Sequence, residues 1–109
     1  MSLTEPPEKE LLKTILEPLL EDFQYWFSRS QTLLESERLT FLSPQEQDHL
    51  LSRLKEAQQE VGAAKMLFRA TDGSAGIDPA TLKPWHRLVG ECWQVSRKWR
   101  SVEKQQQQE

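Results

Sequence analysis

Within residues 11–34, Leu16, Leu19, Phe23, Trp26, Ser30 and Leu33 recur at alternating steps of three and four. That rhythm belongs to a helix with one buried stripe. At about 100° of rotation per residue, Leu20, Phe27 and Leu34 widen the stripe to an arc of roughly 140°, broader than the seam of a two-stranded coiled coil. A helix of this kind has to touch at least two others, so the sequence predicts a small helical bundle. The first helix is expected over about residues 8–37, after a loose lead-in at residues 1–7 that contains Pro6-Pro7. Glu8 and Glu10 suit the positive end of its dipole. Pro18 removes one backbone hydrogen bond and disfavours helical geometry at Glu17. Because the apolar phase continues across it, the expectation is a kink or a closely coupled restart near Pro18.

Residues 38–42 form the first connection, with Phe41 placed for a hydrophobic staple. Ser43-Pro44-Gln45-Glu46 is the clearest local signal: serine at the N-cap, proline at the first helical position and glutamate at the third make a capping box. The second helix then runs to about residue 70 on a stripe of Leu50, Leu54, Ala57, Val61, Ala64 and Phe68. Its alanines, with Gly62, leave room for Trp26, Phe27 and the tryptophans of a third helix. Residues 71–76 contain two glycines among small polar residues and read as a turn. Asp78-Pro79 then looks like an N-cap and first-turn proline opening a short extra helical turn that Pro84 stops or redirects. The third helix is expected over about residues 84–102, with Trp85, Leu88, Val89, Cys92, Trp93, Ser96 and Trp99 facing inward.

The predicted fold is therefore all-α, an antiparallel three-helix bundle forming one domain over residues 1–103, followed by a disordered Gln-rich tail at residues 104–109. At 109 residues the chain is long enough to bury a single core without disulfide or metal staples. Cys92 is the one cysteine; on an apolar face it is expected to behave as a small buried hydrophobe. No basic segment leads into a long apolar run, and no stretch approaches the roughly 20 apolar residues that span a bilayer. The expected location is the cytoplasm. Formal charge falls from the acidic front (−4 over residues 1–43) through −2 over residues 44–78 to a basic rear (+3 over residues 79–109). A net charge of −3 argues against a dedicated nucleic-acid binder.

The Glu17-Pro18-Leu19-Leu20-Glu21-Asp22-Phe23 run with Trp26 is one distinctive segment, and the Phe41-Leu42-Ser43-Pro44 junction is a second. Further along come Ile77-Asp78-Pro79, Pro84-Trp85-His86 and Cys92-Trp93. On these proline and tryptophan placements the chain resembles a family of short cyanobacterial proteins of unknown function, over about residues 10–99. The resemblance implies a cytoplasmic helical protein of a photosynthetic bacterium and brings no activity, cofactor or binding residue with it.

Nothing in the sequence assembles a reaction centre. Glu46 and His49 have the Glu-x-x-His spacing of a di-iron bundle, but such a site needs two of these pairs plus two further glutamates, and His86 has Lys83 three residues before it. No phosphate loop, dinucleotide fingerprint or nucleophile elbow occurs. The expectation is a non-enzyme without metal or cofactor, a small metal-dependent enzyme being the most distant alternative.

Two features suggest binding. Arg97, Lys98 and Arg100 surround Trp99, followed by Lys104. They either complement the negative end of the helix dipole or form a patch for an acidic protein or an anionic membrane surface. Tyr25, Met66 and Leu67 fall off the main stripes. They are either isolated surface residues, with Met66 or Leu67 covered by the loop carrying Ile77 and Leu82, or parts of a protein or homodimer interface. The function these features suggest is a helical interaction module, an adaptor or assembly factor that binds another protein through helix faces. The alternative is a peripheral membrane protein using the basic end of the third helix.

Overall fold

A computed structural model describes residues 5–108, with three helices and no strand among them: α1 (Glu5–Ser36), α2 (Pro44–Ala70) and α3 (Pro79–Gln108). Of the expected lead-in, residues 1–4 lie outside the described residues, while Pro6 and Pro7 sit in the first turn of α1, where a missing N–H costs nothing. Helix α1 runs through Pro18. Pro18 is exposed, and so is Thr14, whose carbonyl loses its helical partner, so water can serve that oxygen.

Side-chain pairs fix the topology. Gln58 donates to Gln31, Lys65 to Gln24, and Arg69 reaches Glu17, so α2 runs antiparallel to α1. Phe23 lies edge-on to Trp85 and Trp26 edge-on to Trp93, so α3 runs parallel to α1. Helix α1 packs against both α2 and α3, which makes an up-down-up bundle. Its core joins Leu20, Phe23 and Phe27 of α1 to Leu54 and Val61 of α2 and to Trp85 of α3. The molecule is elongated, with principal extents of 69 × 26 × 19 Å.

Both helix junctions have local causes. Ser43 accepts from the Glu46 amide at 3.1 Å while the Glu46 carboxylate accepts from the Ser43 amide at 2.8 Å, the reciprocal capping box the sequence predicts. The bond from the Ser43 backbone holds the Glu46 carboxyl below its usual range. Ser43→Ala is expected to lower unfolding free energy by about 1 kcal/mol, read from the shift in urea midpoint. At the far end of α2, the Gly73 amide bonds the Phe68 carbonyl at 2.7 Å and the Asp72 amide bonds the Arg69 carbonyl at 3.1 Å. That is a Schellman termination, with Asp72 at φ 51° and Gly73 at φ 83°. A Cβ on Gly73 would come within 2.6 Å of Lys13 Cγ, so the turn is docked closely on α1.

Three expectations for α3 need correction. No separate extra turn precedes it: the helix starts at Pro79 and continues through Pro84. Asp78 caps it by accepting from the Ala80 amide at 2.9 Å. Pro84 leaves only the exposed Ala80 carbonyl without a helical donor, and that group lies in the first turn. The Gln-rich end is not irregular either, since the helix extends to Gln108; glutamine is a good helix former and residues 103–107 are exposed. Finally, the inner face is narrower than the stripe suggests. Trp85 is 3% exposed and Cys92 is buried, whereas Trp93 is 48% exposed and Trp99 is only partly covered. Trp93 stands about 100° around the helix from Cys92, at the margin facing Trp26.

Candidate functional site

That margin opens into a groove of about 550 Å³ between α1 and α3. Trp26 and Leu33 contribute from α1, Trp93, Ser96 and Trp99 from α3, and the charged lining residues are Arg29, Arg97, Arg100 and Glu103. The helical repeat explains the arrangement. Trp26 and Leu33 are seven residues apart on one edge of α1, and Trp93, Ser96 and Arg100 are three and four apart on the facing edge of α3.

The wall at Trp26 is built from interlocking contacts. Trp93 meets Trp26 edge-on at 5.8 Å between centroids and 81° between planes. Tyr25 meets the same indole edge-on at 5.1 Å and 82°. The Arg29 guanidinium lies 5.8 Å from the Trp26 ring centroid and donates to the Tyr25 hydroxyl at 2.9 Å. Stacking and the hydrogen bond together restrict both side chains, so Arg29 presents its remaining donors with little freedom left to lose.

The sequence candidates thus divide. Arg97 and Arg100 line the groove and Tyr25 buttresses it. Lys98 does not belong to this group, because its ammonium lies 5.2 Å from the Phe41 ring centroid on another side of α3. Two residues further along a helix amounts to about 200° of rotation, which parts Lys98 from Arg100. Met66 and Leu67 are exposed on α2, which contributes nothing to the groove. The loop does not cover them: Ile77 and Leu82 pack against the core instead. Arg29 and Glu103 are groove residues that the sequence reading did not single out, while Trp26 and Leu33, read there as stripe residues, are only partly buried and line the groove. The signal for Arg29 was its spacing of one helical turn from Trp26 at the edge of the stripe.

A smaller cleft of about 250 Å³ holds Glu46, His49, Arg53 and Glu91. Glu46 is engaged in the capping box, and Arg53 makes a two-pronged pair with Glu91 that holds the Glu91 carboxyl below its usual range. Among the described residues no group of three or more His, Cys, Asp or Glu side chains is placed to hold a metal. Burial pushes the Cys92 thiol up, which disfavours its thiolate form. No described helix is long and apolar enough to cross a membrane.

What the larger groove offers is recognition: flat indole surface beside guanidinium groups that match carboxylates or phosphates in pairs. A family model described as "Protein of unknown function (DUF2605)" matches residues 6–101. The chain belongs to that family. The DUF2605 match covers α2, nearly all of α1 and α3 as far as residue 101, and so includes the groove as far as Arg100 and leaves Glu103 beyond its end. No curated protein and no solved structure matches the chain.

Proposed function

We propose that this DUF2605 chain is a non-enzymatic, cytoplasmic interaction module that receives an acidic, partly apolar helix of another protein in the groove between α1 and α3. The observation that supports this reading is the meeting of half-exposed Trp93 with Arg29, Arg97 and Arg100 on one concave surface. Tryptophan, tyrosine and arginine dominate binding energy at protein interfaces, and an amphipathic helix laid in a groove is a recurrent mode of peptide recognition. A concave site suits a helix better than a flat lipid surface does. The seating of Lys98 over Phe41 also takes one cation away from any membrane-facing array.

Titration of the protein with a synthetic acidic amphipathic helix, followed by tryptophan fluorescence, tests the proposal. Binding is expected to weaken by about tenfold or more on Arg97→Glu/Arg100→Glu and to change little on Lys98→Glu. Absence of binding, or equal loss with Lys98→Glu, overturns it. Flotation with anionic phosphatidylserine vesicles in place of peptide binding would replace it with the membrane reading.

A further inference from the structure

The two ends of the bundle are uneven in complementary ways. Trp85 lies level with Phe23, and α3 starts six residues earlier, so at about 1.5 Å per residue it begins alongside position 17 of α1. The Schellman turn after α2 reaches only as far as Lys13. The first turns of α1 therefore extend past both neighbours, and Leu11, Leu12 and Ile15 are each more than half exposed. At the other end Lys98 is level with Phe41, and α3 continues to Gln108, past the end of α1. One end thus carries an uncovered apolar helix face and the other a tryptophan-lined groove.

Their charges are opposite too. Residues 5–16 contain Glu5, Glu8 and Glu10 against Lys9 and Lys13, and Glu17 just beyond them is paired with Arg69. Lys13 is held by Asp72 at 2.6 Å, which raises its pKa, and lies 4.0 Å from the Glu10 carboxylate, whose side chain is nonetheless largely exposed. The groove presents Arg29, Arg97 and Arg100 against the single acid Glu103. Symmetrical pairing of the α1 ends would bring like-charged segments together; pairing of an α1 end with a groove brings opposite charges together.

We propose that the N-terminal turns of α1 from one copy dock into the α1/α3 groove of a second copy, with Leu11, Leu12 and Ile15 against the indoles and Glu10 facing Arg97 and Arg100. This rests on the groove being a helix-docking site, with a second copy as its occupant. The two surfaces differ, so the contact is head-to-tail and leaves one unused end on each side of every pair. Assembly then grows with concentration into chains or a closed ring.

Light scattering on size-exclusion fractions over a concentration series is the test, using the full chain. Wild type is expected to rise past dimer mass. Leu11→Glu/Ile15→Glu, which spoils the inserted face, and Arg97→Glu/Arg100→Glu, which spoils the groove, are each expected to be monomeric. All four sites are exposed, and unchanged far-ultraviolet circular dichroism would verify folding. Mixed one to one, the two variants are expected to form a dimer that stops there, because the mixture holds one intact face and one intact groove. A monomeric wild type, a mixture that stays monomeric, or variants that each still dimerise would overturn the inference. Titrating the Leu11→Glu/Ile15→Glu protein with the unrelated acidic helix separates the two failures. Peptide binding without self-association removes only the second-copy occupant, and loss of both removes the docking site itself.

Discussion

Trp85→Ala is expected to destabilise the fold by about 3–5 kcal/mol, whereas Trp93→Ala, eight residues along the same helix, is expected to cost less than about 1 kcal/mol. Trp85 is 3% exposed and meets Phe23 edge-on at 5.6 Å, while its indole N–H donates to the Glu60 carboxylate at 3.1 Å. Truncation at that point opens a cavity where all three helices converge, and the loss includes both transfer of the ring to water and the contacts left without a neighbour. Trp93 is 48% exposed and, among the described aromatic rings, meets only Trp26, so much of its surface is already solvated. Against a total stability of about 5–15 kcal/mol, the first substitution removes a large fraction of what holds the bundle together. Urea unfolding followed by circular dichroism measures both; similar losses would mean that the half-exposed ring is as deeply packed as the buried one. The same pair separates stability from binding, since Trp93→Ala should weaken peptide docking in a protein that remains folded.

The helical period, the capping box and the turn after α2 were legible because each is local: its cause lies within a few residues of its effect. Cys92 was legible for a related reason, sitting one turn from Leu88 and Val89 on the deepest part of the stripe. Pro84 was misleading because the same residue that ends a helix also fits its first turns, and the choice depended on Asp78 already having capped at Ala80. Trp93 and Trp99 were misleading for another reason. Periodicity gives the centre of an apolar arc but not how much of it two neighbouring helices cover, and that width depends on where α1 lies across α3. The groove depends on this relation as well. Arg29 and Arg97 are 68 positions apart, and only the parallel alignment of α1 and α3, set by Phe23 against Trp85, brings them to one opening. Lys98 shows the reverse: adjacency in sequence suggested a patch of three cations, and helical rotation dispersed it.

Gln47→Leu is the other substitution with a large expected effect, about 3 kcal/mol or more, although it places an apolar side chain at a buried position. Gln47 is buried near the start of α2, and all of its polar capacity is directed back at the connection from α1. Its amide nitrogen donates to the Leu34 carbonyl at 2.9 Å and the Glu37 carbonyl at 2.7 Å, closing the last turn of α1. Its oxygen accepts from the Leu39 amide at 3.0 Å and from Arg38 at 2.7 Å. No periodic rule marks such a residue, because its partners are backbone groups of a loop whose path it helps to determine. Leucine fills nearly the same volume but leaves the buried Leu39 amide and the Leu34 carbonyl without partners, each costing about 1–3 kcal/mol. Gln47→Glu tests the polarity of the same network. Its ionised carboxylate still accepts from Leu39 and Arg38 but turns an oxygen toward two carbonyls that need a donor. Arg38 and the Leu39 amide favour that ionised form while the two carbonyls oppose it, so the expected result is a loss of stability at pH 7, where the carbonyls face an oxygen and have no donor. Urea midpoints of the variant and wild type at pH 7, with hydrogen exchange at the Leu39 amide, measure this; a Gln47→Glu protein as stable as wild type would mean that those carbonyls do not rely on the Gln47 amide.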